Sequence, residues 1–335
     1  MADTLQIQGG QRLTVSWSEG RRRLNESPVY QALKASDGLL DKSFGTDGQA
    51  MIRVSEQVDE LLLLHRTLLA GFEGRTAEVQ KSLRELFGQV RSVFPRTSTQ
   101  RNKAYLSLAK SIIEKKKIER PAFLEASKGI HKRLSEYCVQ LESLEVQLKR
   151  HLGVTIALTE QSAYHRCRCG NLRFEAGAPC VVCGTRPAGV SMALLRIHPV
   201  FKQVIENHVW LELAVARLLE TKGFEVLVGP TVVGMSGTEH EIDIVARDRT
   251  SKILILGEVT IGPASLRELA DLMLRGIDVP AHGRVLVTLG ASNSNTSTYA
   301  QRHGIGIVSE VGTRQAHLDN WVTSLRRYHA ALVQT

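Results

Sequence analysis

Gly237-Thr238-Glu239-His240-Glu241-Ile242-Asp243-Ile244-Val245-Ala246 and Lys252-Ile253-Leu254-Ile255-Leu256-Gly257-Glu258-Val259-Thr260 are two aliphatic runs joined by the polar segment Arg247-Asp248-Arg249-Thr250-Ser251. Runs rich in Ile, Val and Leu on either side of turn residues predict two paired strands. Side chains alternate across a strand, so Glu239, Glu241 and Asp243 are expected on one face of the first. Leu254, Leu256, Glu258 and Thr260 are expected on one face of the second. Carboxylates at the ends of apolar strands are costly to bury without a cation or a hydrogen-bond donor. A hard divalent metal is the simplest such partner.

Working outward, Gly262-Pro263 turns the chain into a predicted helix over 265–275, and strands are expected at 284–289 and 304–309. Upstream, a helix over 204–222 precedes a strand over 224–228, and a loop runs from Gly229-Pro230 to Gly237. This order predicts an α/β domain with a mixed central sheet over residues 200–312, followed by a terminal helix in 313–335.

Ile242-Asp243-Ile244-Val245, a hairpin, and a strand ending Glu258-Val259-Thr260 resemble the core of the PD-(D/E)XK nucleases, which have the restriction-endonuclease-like fold. The helix that carries Glu212, followed by Gly223-Phe224, is similar to the first helix of archaeal Holliday-junction resolvases and Mrr-like enzymes. The likeness covers residues 206–311. It implies that Glu212, Asp243 and Glu258 are metal-site acids, with Asp243 and Glu258 holding Mg²⁺ or Mn²⁺ and Glu241 beside them. It also implies a metal-dependent nuclease that hydrolyses phosphodiester bonds of DNA, in genome defence or repair. The chain departs from the family at Thr260, where a lysine usually orients or activates the attacking water. A second reading therefore stands beside the first: a non-catalytic nucleic-acid-binding or assembly subunit on a lapsed nuclease fold.

Cys167-Arg168-Cys169-Gly170 and Cys180-Val181-Val182-Cys183-Gly184 form the second constellation. Two cysteine knuckles, each followed by glycine, predict a zinc ribbon over 161–190, with Cys167, Cys169, Cys180 and Cys183 as a closed structural Zn²⁺ site. The glycines let backbone N–H groups turn toward the sulfurs. Arg166, Arg168, Arg173 and Arg186 surround the ligands. Four of the five cysteines in one metal-type cluster argue against a disulfide framework, so a reducing, cytoplasmic compartment is expected. No apolar run is long enough for a membrane span, and no secretory signal is expected.

The charge is uneven. Residues 165–204 carry six lysines and arginines against one acid, whereas residues 205–335 carry twelve against fourteen. DNA binding draws on Lys and Arg near phosphates, so the zinc module and the helical region are expected to do much of the holding.

Residues 1–50 are broken by Gly9-Gly10, Gly20, Gly45 and Gly48 and are expected to be irregular. From Met51 the chain turns helical. Val58, Leu62, His65, Leu69, Phe72, Val79, Leu83, Leu86 and Val90 follow an a/d seam, with Gly71 and Gly74 able to divide it. A second helix after Ser98 carries the basic run Lys115-Lys116-Lys117. A third, opening at Pro121, repeats the seam with Ile130, Leu134, Tyr137, Leu141, Leu144 and Leu148. These predict an all-α coiled-coil arm over 51–160, which suggests a homo-oligomer or a protein partner.

Overall fold

A computed structural model of the chain describes residues 3–6, 12–17, 19–36, 40, 42–93, 118–153, 155–174, 177, 179–185, 190–248, 250–309 and 315–333. Its first elements are β1 (Asp3–Gln6), β2 (Arg12–Trp17), α1 (Glu19–Asn25), α2 (Pro28–Ala35), α3 (Lys42–Phe72), α4 (Thr76–Val93) and α5 (Arg120–Leu152). The middle of the chain forms β3 (Thr159–Arg166), β4 (Leu172–Arg173), β5 (Val190–Ile197), α6 (Pro199–Glu206) and α7 (Val209–Thr221). Next come β6 (Phe224–Val228), β7 (Pro230–Val233), β8 (Glu239–Glu241), β9 (Ile244–Asp248) and β10 (Leu254–Thr260). The chain closes with α8 (Leu266–Asp278), β11 (Gly283–Thr288), α9 (Ser294–Arg302), β12 (Ile305–Ser309) and α10 (Gln315–Val333). Two units are distinct: Met1–Thr46 with Leu148–Ile156 and Pro199–Thr335, and Asp47–Gln147 with Ala157–His198.

The first unit is built on a five-stranded sheet in the order β12-β11-β10-β9-β6. β10 pairs parallel with β11 and antiparallel with β9, so the sheet is mixed, as the sequence predicts. A central strand is covered on both faces, and Leu254, Ile255 and Leu256 are all buried. Leu256 packs in one core with Val245, Leu286 and the α8 residues Leu269 and Leu272. A capping box starts α8. The Ser265 side chain accepts from the Glu268 N–H, and the Glu268 carboxylate accepts from the Ser265 N–H at 2.8 Å.

Two expectations are corrected here. Residues 1–50 are not irregular: they supply β1, β2, α1, α2 and the start of α3. β2 pairs with β7, placing Val15 opposite Val232, in a second sheet ordered β1-β2-β7-β8. The stretch read as a loop after Gly229 therefore contains a strand. Its partner lies at the far end of the chain, and pairing across such a distance leaves no local signature. The second correction concerns the run from Thr238 to Ala246. β8 pairs with β7 in one sheet while β9 pairs with β10 in the other, so the chain changes sheets at Ile242-Asp243. Glu239 and Glu241 consequently do not continue into a row with Asp243.

The N-terminal segment is tied to α7 through aromatic packing. Phe44 meets Phe201 at 6.1 Å and Trp210 at 6.0 Å between ring centroids. A Cβ on Gly45 would stand 2.4 Å from Trp210 Cζ2. Alanine normally favours a helix interior over glycine by about 1 kcal/mol, whereas overpacking costs roughly 1–3 kcal/mol. Gly45→Ala is therefore expected to lower the unfolding midpoint of the protein. A raised midpoint in thermal denaturation would show that Trp210 moves aside freely.

The second unit holds the helical part and the cysteine module. α3 ends at Phe72, and Gly74, with φ of 75°, turns the chain into α4, so the seam divides at the glycines. On α5, Ile130, Leu134, Leu141 and Leu148 are buried, with Tyr137 and Leu144 half-buried. The free-standing coiled-coil arm is corrected, however. Leu61, Leu63, Thr67, Leu68 and Ala70 are buried along with Val58 and His65, a wider face than an a/d stripe. β3, β4 and β5 form a sheet ordered β4-β3-β5 that lies along the helices. Ser55 Oγ accepts from the Ile197 N–H at 3.0 Å, and the Cys138 sulfur accepts from the Leu195 N–H at 3.4 Å. The expected boundary between arm and ribbon at 160/161 thus falls inside one packed unit. The predicted basic helix, with Arg101, Lys103, Lys110 and Lys115-Lys116-Lys117, lies outside the described residues, as does Arg186. Among the described residues no helix is long and apolar enough to cross a membrane.

Candidate metal centres

The cysteine module is held by short backbone turns. Gly170 and Gly184 have φ of 96° and 71°, the left-handed conformation that glycine adopts without strain. Gly170 N donates to Cys167 O at 2.8 Å and Gly184 N donates to Cys180 O at 2.7 Å, so each knuckle closes back on its own first cysteine, over three residues in the first and four in the second. The four donor sulfurs all lie within 4.8 Å of one another, and this is the one such group of three or more ligands among the described residues. Cys167 Sγ is 3.5 Å from Cys183 Sγ and Cys169 Sγ is 3.6 Å from Cys180 Sγ. Tetrahedral Zn–S bonds of about 2.3 Å require sulfurs roughly 3.8 Å apart. The four cysteines can therefore hold a metal such as zinc. Thr185 Oγ1 lies 3.0 Å from Cys183 Sγ and lowers that thiol to about 6, while burial pushes Cys169 up to about 12. Asn171, missed in the sequence reading, donates from Nδ2 to Cys180 Sγ at 3.5 Å.

The acids of the first unit come from three elements. Glu212 sits in the first turn of α7, a helix buried on nearly every side, and is itself 4% exposed. Asp243 occupies the break between β8 and β9. Its Oδ2 accepts from the Val259 N–H of β10 at 2.8 Å, which ties it to the strand carrying Glu258. Burial raises the Glu258 carboxyl to about 8, with further upward pushes from the charges of Asp243 and then Glu212; Arg275 opposes them without cancelling them. Glu212, Asp243 and Glu258 are thus electrostatic neighbours, although their oxygens do not close into a ready-made ligand set.

Thr260 ends β10 opposite Thr288, and its hydroxyl accepts from the Gly262 N–H at 3.4 Å. Glu241 is exposed at the end of β8. Its backbone carbonyl is what reaches the cluster: Arg275 Nη1 donates to Glu241 O at 3.0 Å and to the Glu258 carboxylate. Arg275 was not legible as a site residue. Its one sequence cue is a basic residue in the last turn of a helix, which the helix dipole explains equally well. Asp278, near it on α8, accepts from Ser236 Oγ at 2.8 Å and pairs with His240 Nε2 at 2.6 Å. That contact fixes the β7–β8 turn against α8. His240, followed by Ser236, holds the Asp278 carboxyl below its usual range.

The raised Glu258 value has a consequence for stability. A carboxyl whose folded pKa exceeds its unfolded one stabilises fully below the unfolded value, near 4.5, and loses that contribution as pH rises through about 8. In buffer free of divalent metal, wild type is expected to lose stability between pH 5 and pH 8 more steeply than Glu258→Gln. Thermal unfolding across that range measures it, and identical slopes would contradict the assignment.

No protein-family model and no curated protein matches the chain. Among solved structures it is similar to the protein of unknown function AF1548, at 28% identity and a TM-score of 0.27, over 30% of this chain and 57% of that one. It is also similar to protein VC1899 from Vibrio cholerae, at 13% identity and a TM-score of 0.36, over 95% of this chain and 59% of that one. The chain spans less than two thirds of the length of either.

Proposed function

We propose that the unit containing residues 199–335 is a metal-dependent nuclease acting on DNA, with a restriction-endonuclease-like core. One observation carries this reading. Glu258, at the end of a central strand, lies beside Asp243 and Glu212, and burial first, then the charge of Asp243 and more weakly that of Glu212, raises its carboxyl to about 8. Strongly perturbed carboxyls that cluster are a mark of functional sites. The donor set fits a hard divalent cation, because three carboxylates supply oxygen ligands and gain most from a positive charge placed among them. Asp243, Glu258 and Glu212 would hold Mg²⁺ or Mn²⁺, which supplies charge stabilisation at the scissile phosphate and lowers the pKa of bound water.

The chain's own groups have narrower tasks. Asp243, fixed by the Val259 N–H, is the anchored ligand. Arg275 positions Glu258 and balances part of the acidic charge. The Thr260 hydroxyl can hydrogen-bond a water but is too weakly basic to take its proton.

A second reading, a non-catalytic binding or assembly subunit, is favoured by the contact between Arg275 and Glu258, since a guanidinium already holds one oxygen of that acid. Incubation with plasmid, linear, single-stranded and branched DNA, with and without Mn²⁺, separates the two. Metal-dependent cleavage by wild type is expected. If wild type leaves every substrate intact and Thr260→Lys cuts, the domain is a lapsed nuclease and the second reading replaces the first.

A further inference from the structure

Arg275 lies in the last turn of α8, and a single nitrogen makes both of its side-chain contacts. Nη1 donates to Glu241 O at 3.0 Å and to the Glu258 carboxylate. A guanidinium carries further N–H donors in the same planar fork. Those on Nε and Nη2 make no hydrogen bond among the described residues. The Arg275 side chain is also 31% exposed, against 19% for Glu258. Arg275 therefore reaches the acid cluster with one nitrogen and leaves the rest of its fork unused.

Its two partners differ in kind. Glu241 O belongs to the backbone of β8, and the turn before β8 is pinned to the same helix. Asp278, one turn beyond Arg275, accepts from Ser236 N at 2.8 Å and from Ser236 Oγ at 2.8 Å, and pairs with His240 Nε2 at 2.6 Å. Met235 N donates to Asp278 O at 2.9 Å. Glu241 O is thus a fixed partner. Glu258 is held through rotatable side-chain bonds, so its carboxylate is the partner that can turn away. While Arg275 holds one of its oxygens, a divalent ion on Glu258 would stand beside a guanidinium, and like charges repel strongly in a partly buried site. A phosphodiester removes that conflict, because its negative charge and paired oxygens match the planar fork.

We propose that Arg275 couples metal binding to substrate binding: it holds Glu258 in the free protein and passes to a phosphodiester of the DNA when the strand enters, which releases Glu258 to the ion. The inference rests on the nuclease reading above. The Arg275–Glu258 contact is then the resting state of the site. By linkage, DNA raises the affinity for the ion, and the ion raises the affinity for DNA by the same factor.

The test uses the full chain and reads Mn²⁺ affinity from the paramagnetic resonance of free Mn²⁺, with and without a short DNA duplex. The duplex alone gives the background, and Mn²⁺ at the site is the Mn²⁺ lost in Asp243→Asn. For wild type, the duplex is expected to tighten Mn²⁺ binding about tenfold. Arg275→Gln keeps a donor toward Glu241 O and removes the charge. Without DNA it is expected to bind Mn²⁺ about tenfold tighter than wild type, and to lose most of the gain from the duplex. Simple damage to the site would weaken Mn²⁺ binding in both conditions. Arg275→Lys keeps the charge but not the fork. It is expected to bind Mn²⁺ alone as wild type does and to gain less from the duplex, so it serves should Arg275→Gln fail to fold. The inference is overturned if Arg275→Gln binds Mn²⁺ alone no tighter than wild type. It is equally overturned if that variant keeps the full gain from the duplex, as direct ligation of the ion by the phosphate would give. Either result leaves the nuclease reading standing. Wild type with no Mn²⁺ at the site in either condition refutes that reading and this inference together.

Discussion

Replacing Asp243 with alanine is expected to abolish metal-dependent cleavage of DNA, with a loss on the order of 10³-fold or more, since several kcal/mol of transition-state charge stabilisation depend on the ion it would anchor. Alanine has a second effect that must be separated from the first. The Asp243 carboxylate accepts from the Val259 N–H, and its removal leaves that donor bare at a cost of about 1–3 kcal/mol. Asp243→Asn keeps an acceptor at the same position and removes only the charge, so it should fold like wild type and be equally inactive. DNA binding should persist in both variants, or strengthen slightly because a negative charge is lost. If Asp243→Asn cleaves at the wild-type rate, Asp243 does not hold a catalytic ion. Cleavage rates with Mn²⁺ and binding in its absence, measured on the same preparations, decide between these outcomes.

Loss of metal from the cysteine module is expected to have the largest effect on folding. Structural zinc contributes about 10–16 kcal/mol in comparable small modules. The protein is expected to carry one tightly held zinc per chain. Cys180→Ser removes the most buried of the four ligands and the acceptor for Asn171 Nδ2. The variant should lose zinc and become sensitive to protease around residues 165–185. Elemental analysis finding no zinc in wild type would refute the metal site. So would a Cys167–Cys183 disulfide, which requires sulfurs about 2.05 Å apart where the structure has 3.5 Å.

The predictions differ in how far each can be traced to sequence alone. The cysteine module was legible because its ligands lie close together in the chain, and Gly170 and Gly184 adopt the positive φ that their places after each knuckle require. β10 and the mixed five-stranded sheet were legible for a similar reason. A covered central strand needs an unbroken aliphatic run, and Ile253 to Leu256 supply one. α5 followed from spacing alone, with Leu134, Leu141 and Leu148 as its buried stripe.

What only the tertiary structure decided was pairing across long stretches of chain. β2 reads as a short run among glycines until β7 is beside it. The change of sheet at Ile242-Asp243 cannot be read from alternation, because period-2 patterning says which residues share a face but not where a strand exchanges partners. Arg275 reaches Glu258 because α8 packs across β10. Local sequence determined the elements and the zinc-type ligands, since propensity, capping and spacing act over a few residues. The neighbours of each charged group were decided by burial between distant segments, which also set the pKa of Glu258.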